Sequence, residues 1–222
     1  MRRAGRQGRG RPDAGLRAAA RLTVYLEGPL DHDVLRGFAL RLGPRPVDSL
    51  FGRVVLLGGR QPGRALAHFA ELAAADPRAC GVCVLDRDGE GPEPPPPGAP
   101  AGFEVFTWRR RHIESYLLVP EAIRRSLRNR VDRGRVERAL RDALPAGSDE
   151  TWLREVDAKR LLAPDGRLAR ALGTPLRPGA IARAMRPSEI HDDVKDLFDR
   201  LRRARGMGPP GGPVVARRRP VP

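Results

Sequence analysis

Leu22-Thr23-Val24-Tyr25-Leu26-Glu27-Gly28 and Gly81-Val82-Cys83-Val84-Leu85-Asp86-Arg87-Asp88-Gly89 decide the fold. Each is a β-prone run that closes on acid and glycine. A run that is apolar at successive positions reads as a strand buried on both faces, which is the habit of parallel sheets. Arg53-Val54-Val55-Leu56-Leu57, closed by Gly58-Gly59, and residues 103–107 supply two further strands. Between strands, Val34, Leu35, Phe38, Ala39 and Leu42 recur at helical spacing up to Gly43-Pro44, and Ala65, Leu66, Phe69, Leu72 and Ala73 do so before Pro77. Strands alternating with amphipathic helices predict an α/β fold: a Rossmann-like, mainly parallel sheet flanked by helices and joined by right-handed crossovers.

Past Trp108 the pattern turns helical. Helices are predicted over 120–129, 136–144 and 152–162, with a last one capped by Ser188 and running through Val194, Leu197, Phe198 and Leu201. The chain therefore divides into a disordered basic tail (1–20), an α/β core (21–119), a helical extension (120–205) and a disordered Pro/Gly/Arg tail (206–222). The polyproline stretch 91–98 reads as a stiff loop between the third and fourth strands. There is no internal repeat. Nor is there a secretion signal or an apolar run of about 18 residues, so the expected setting is the cytoplasm, away from membrane.

The formal net charge of +15 favours a polyanionic partner, of which nucleic acid is the commonest. Of 42 basic residues only Lys159 and Lys195 are lysine, so part of this charge is an arginine habit of the whole sequence. An aromatic content of 5% argues against base stacking as the main mode of contact. Gly206-x-Gly208-x-x-Gly211 follows no strand and so is no dinucleotide fingerprint. Cys80 and Cys83 run into a strand without a second pair and read as core residues, not a zinc site.

The acids carry the chemistry. In a parallel sheet the carboxyl ends of the strands share one edge, where open α/β folds bind ligands. Glu27 and Asp31 at the first strand end and Asp86 and Asp88 at the third would meet there. Taken singly, each reads as a helix cap or solvated turn. Together, two like charges about 5 Å apart at an effective dielectric of about 20 repel by roughly 3 kcal/mol, and such a cluster calls for a divalent cation. Hard oxygen donors suit Mg2+ or Mn2+. His32 and His112 stand next to these acids in sequence and could support them.

Leu26-Glu27-Gly28-Pro29-Leu30-Asp31, followed by Leu85-Asp86-Arg87-Asp88, resembles the TOPRIM domain of topoisomerases, primases, recombination mediators and the OLD (overcoming lysogenization defect) nucleases. Trp108-Arg109-Arg110-Arg111-His112-Ile113-Glu114-Ser115-Tyr116-Leu117-Leu118 and Asp157-Ala158-Lys159-Arg160-Leu161-Leu162 resemble the OLD branch. The likeness covers residues 21–205. It implies a TOPRIM-type fold and a two-metal nuclease with ions about 3.5–4 Å apart. The metal ligands would be Glu27, Asp31, Asp86, Asp88 and Glu114, with Glu27 and Lys159 catalytic. Arg109, Arg110 and Arg111 could hold the phosphate backbone, or be a solvated strand end. DNA is the expected substrate, with RNA such as transfer RNA the alternative, in phage defence or DNA processing. A homodimer, and an ABC-type ATPase encoded as a separate chain, are the other partners the resemblance allows, since this chain has only a basic tail where OLD proteins carry that ATPase. A silent TOPRIM module that only binds nucleic acid or a partner, and a phosphoacceptor receiver domain, are the competing classes. Pro29-Leu30 and Glu90 depart from the family pattern, and Glu90 could supplement a ligand.

Overall fold

The structure is a computed structural model that describes residues 21–43, 50–87, 97–145, 147 and 149–206. The two predicted tails (Gly206 excepted), most of the polyproline loop, Asp88 and Glu90 lie outside the described residues. The four predicted strands form within two residues of their expected limits: β1 (Arg21–Leu26), β2 (Val54–Leu56), β3 (Ala79–Leu85) and β4 (Phe103–Thr107). All are parallel, in the order β2-β1-β3-β4. The sheet is thus an α/β sheet of Rossmann-like type, with helices on both faces.

Strand alternation sorts the side chains into two layers. Leu22, Val24, Leu26, Val82, Val84 and Phe106 face one large core, which α1 (Pro29–Leu42) enters with Val34, Leu35 and Phe38. Tyr25, Cys83, Leu85 and Phe103 face a smaller core on the other side, closed by Ala65 and Phe69 of α2 (Pro62–Ala75). Cys83 is buried and Cys80 half-buried, and both are free thiols, consistent with core roles.

The C-terminal half is helical, as expected, but more finely divided. It contains α3 (Pro120–Ser126), α4 (Arg133–Ala143), α5 (Glu150–Glu155), α6 (Ala158–Leu162), α7 (Arg167–Leu172), α8 (Pro178–Ala184) and α9 (Asp192–Ala204). The single helix predicted over 152–162 is two. Val156 is extended, and the Asp157 carboxylate accepts a hydrogen bond from the Arg160 N–H, starting a new helix. Ser188 does not cap the last helix; it lies in a short 3-10 turn, and His191 Nδ1 accepts the Asp193 N–H instead. Buried residues of these helices join the same core as the sheet's larger face, so the extension is packed on the sheet throughout.

Helix α1 crosses α8 at close range. A Cβ at Gly37 would lie 2.6 Å from the Ala182 Cβ and 3.1 Å from the Gly179 carbonyl oxygen, and the backbone there cannot yield cheaply. Alanine is the better helix former by about 1 kcal/mol, but overpacking costs about 1–3 kcal/mol. Gly37→Ala should therefore lower the melting temperature by a few degrees, on the order of 2–6 °C for a chain of this size, and adding Ala182→Gly should recover part of the loss. A melting temperature at or above the parent's would mean that the crossing has slack.

Candidate metal centre

The strand order fixes where the site can form. From β1 the chain steps to β2 on one side, and β3 returns to β1's other side, so the crevice between the carboxyl ends of β1 and β3 is the topological switch point. Glu27 follows β1, Asp31 sits in the first turn of α1, and Asp86 follows β3. After β4 the chain turns back through a 3-10 turn (Ile113–Leu117) that carries Glu114. The break before α6 brings in Lys159 from the helical extension.

Asp86 is the hub of this cluster, and it is 3% exposed. Its N–H donates to Glu27 Oε1 at 2.8 Å, its Oδ1 accepts the Ile113 N–H at 3.2 Å, and its Oδ2 is ion-paired with the Lys159 ammonium. Its carbonyl accepts from the Arg60 guanidinium. Asp31 Oδ2 accepts the Gly28 N–H at 2.7 Å, so the helix-cap role open to Asp31 is realised alongside its place in the cluster.

Charge is crowded here. Burial first, and then the negative charges of Asp86 and Asp31, push the Glu114 carboxyl up to about 7, although a backbone hydrogen bond and Lys159 oppose them. Asp31 is pushed up to about 6, again by burial first, with Asp86 and Glu27 adding to it. Burial alone would lower Lys159, but its hydrogen bond and attraction to Asp86 leave it raised, so it stays an ammonium. His112 is lowered by burial first, against the opposing pull of Asp86.

Two orphaned atoms mark the centre: Glu114 Oε2 and His112 Nδ1 are buried without a hydrogen-bond partner. A buried carboxylate oxygen with no donor is costly unless it is protonated or meets a cation. In donor chemistry, Glu27, Asp31, Asp86 and Glu114 fit a hard divalent ion. As the side chains are placed, no three His, Cys, Asp or Glu side chains among the described residues stand together around one ion position. The Lys159 ammonium occupies one oxygen of Asp86.

The arginine triplet divides. Arg110 is corrected from a phosphate contact to a structural residue. It is 6% exposed, its guanidinium makes paired hydrogen bonds to Glu150 and a third to the Ser115 carbonyl, and it stacks on the Tyr116 ring. A guanidinium so engaged has little left for a phosphate. Arg109 and Arg111 are exposed; Arg109 Nε lies 3.5 Å from Asp193, itself bound to the Tyr116 hydroxyl. Two neighbours of the cluster escaped the sequence reading, Arg60 after β2 and Arg87 after Asp86. The Gly58-Gly59-Arg60 strand end was the available signal for the first, since both glycines have positive φ and their N–H groups bind the Glu27 carbonyl.

Comparison with protein-family models, with curated proteins and with solved structures returned no match.

The raised carboxyls have a thermodynamic signature. Their folded pKa values lie above their unfolded ones, so below about pH 4 they cost nothing. As pH rises the unfolded chain releases its protons first, and stability falls until about pH 7 and is level beyond it. For Glu114 the loss is on the order of 3 kcal/mol. Melting curves in chelator should therefore show a shallower decline from pH 4 to 7 in Glu114→Gln than in the parent. Magnesium should raise the parent's melting temperature at pH 8 much more than at pH 5, where protons compete for the same oxygens. Parallel pH profiles for the two proteins would rule out the buried carboxyl as the cause.

Proposed function

We infer that this chain is a TOPRIM-type, OLD-like nuclease that hydrolyses phosphodiester bonds in DNA using Mg2+ or Mn2+. The observation that carries the reading is the convergence of Glu27, Asp31, Asp86, Glu114 and Lys159, drawn from four separate segments, on the carboxyl edge of the sheet. Buried like charges of this kind are unfavourable for stability and common at functional sites. Glu27, Asp31, Asp86 and Glu114, joined by Asp88 in sequence, would hold the metal. When bound, the ion supplies Lewis-acid polarisation of the phosphate and neutralises its charge.

The chain's own residues do the rest. Glu27, with one oxygen fixed by the Asp86 N–H, is the acid set to accept a proton from an attacking water. The Lys159 ammonium lies where it can meet charge developing on the phosphate, as an electrostatic stabiliser. Arg109 and Arg111 offer sequence-neutral backbone contacts, in keeping with the net charge of +15. No helix among the described residues is long and apolar enough to cross a membrane, and a cytoplasmic setting belongs to the same proposal.

Incubation with supercoiled plasmid, single-stranded DNA and transfer RNA, each with magnesium, manganese or chelator, tests the reading. Nicking or linearisation that needs the metal is expected. Cleavage of transfer RNA alone would move the substrate to RNA. Binding without any cleavage would make the chain a recognition module.

A further inference from the structure

Beside the carboxylate centre, on the far side of α6 from Lys159, the surface opens into a cleft of about 500 Å3. That is the scale of a small-molecule site, roughly 300–1,000 Å3, and holds a nucleotide-sized group but no duplex. Trp152 of α5, half-buried, lines it together with Val156 and Leu161. Arg160, Arg167 and Arg170 line it and are exposed. Asp157 and Asp165 line it too, so the lining charge is three minus two, or +1. Asp157 spends an oxygen on the α6 cap, while Arg167 and Arg170 donate to the backbone carbonyls of Asp142 and Asp165. Among the described residues no ion pair joins any of the three arginines to a carboxylate.

Two other arginine-lined clefts also keep arginines outside ion pairs, but neither sets a partly exposed indole beside them. In the groove beside β4, Arg87, Arg109 and Arg200 are paired with Glu155, Asp193 and Asp196 and Arg154 is in no ion pair with a described residue, but the indole there, Trp108, is buried. In the hollow between α3 and α4, Arg124 and Arg125 are paired with Glu137 and Glu189 while Arg128 and Arg133 are in no ion pair with a described residue, and no described aromatic ring lines it. Unpaired guanidinium groups around a partly exposed indole are the two elements that bind single-stranded nucleic acid, one reading phosphates and the other stacking a base. Arg160 follows Lys159 in α6, a step of about 100° around the helix, so the cleft flanks the helix that carries the centre's lysine.

We propose that this cleft binds a single-stranded segment of the nucleic acid, with a base stacked on Trp152 and phosphates on Arg160 and Arg167. The assignment rests on the proposed nuclease reading for its direction, but it can be tested separately. The sequence has two tryptophans, and Trp108 is 2% exposed, so Trp152 is the one a ligand can reach. Short single-stranded DNA and RNA oligomers, added to the full chain in chelator, should quench tryptophan fluorescence saturably. Trp152→Phe should lose the quench while keeping affinity, measured by anisotropy of a labelled oligomer, within a few-fold. Trp152→Ala should weaken affinity by about tenfold or more. Arg160→Ala with Arg167→Ala should flatten the salt dependence by up to about 0.7 per lost phosphate contact.

Binding of the oligomers without quenching, or with affinity unchanged in Trp152→Ala, would overturn the assignment, as would no binding at all. Quenching without metal-dependent cleavage would leave the cleft standing and remove the nuclease. Cleavage with Trp152 silent would do the reverse.

Discussion

Asp86→Asn should reduce magnesium-dependent cleavage by about a thousandfold or more, roughly 4 kcal/mol of transition-state stabilisation, while leaving a folded protein. The amide keeps the shape of the carboxyl, and its oxygen can still accept the Ile113 N–H. What it loses is the charge that pairs with Lys159 and that a divalent ion would need. What it gains is relief, since Asp86 is among the charges holding Asp31 and Glu114 above their ordinary range. The lost ion pair and the relieved repulsion oppose each other, so the melting temperature in chelator should stay within a few degrees of the parent's. Metal-dependent cleavage rates and melting curves on one preparation test this. A variant that melts far lower yet cuts at the parent's specific activity would make Asp86 a structural residue.

Lys159→Ala should slow cleavage about a hundredfold, or roughly 3 kcal/mol, with substrate affinity little changed. The ammonium is half-exposed and ion-paired to the most connected acid of the cluster. Two roles fit that position and they differ in magnesium dependence. If the ammonium stabilises charge that develops in the transition state, the rate at saturating magnesium falls. If it only balances Asp86 in the metal-free protein, that rate is kept and half-saturation comes at lower magnesium. Lys159→Arg should recover the rate only in part, because a planar guanidinium keeps the charge but not the compact shape. Single-turnover rates across a magnesium series for both variants separate the two roles.

Much of this was legible in the sequence where physics is local. The strands were readable because buried parallel strands are unbroken apolar runs, and the acids could be grouped because they end such runs. The order β2-β1-β3-β4 was not legible, since pairing is decided by contacts far apart in the chain. The helical half was read coarsely: α7 and α8 are 6 and 7 residues long, too short for a clear period, and the joint at Val156-Asp157 hides inside a continuous apolar pattern. Arg110 was misread because its partner, Glu150, is 40 residues away, and nothing in an Arg-Arg-Arg run says which member turns inward.

The joint before α6 also makes length matter more than composition. Asp157 sets the start of the helix, and Lys159 stands two residues further on. A residue gained or lost between them would turn the ammonium about 100° around the helix axis, away from Asp86, while every side chain of the site remained present in the chain. Insertions between Ala143 and Asp149 carry no such penalty, because Asp149 caps α5 afresh after them. Drift in loop length is therefore tolerable on one side of α5 and disabling on the other, and a chain that kept all five site residues could still lose its lysine through a single codon.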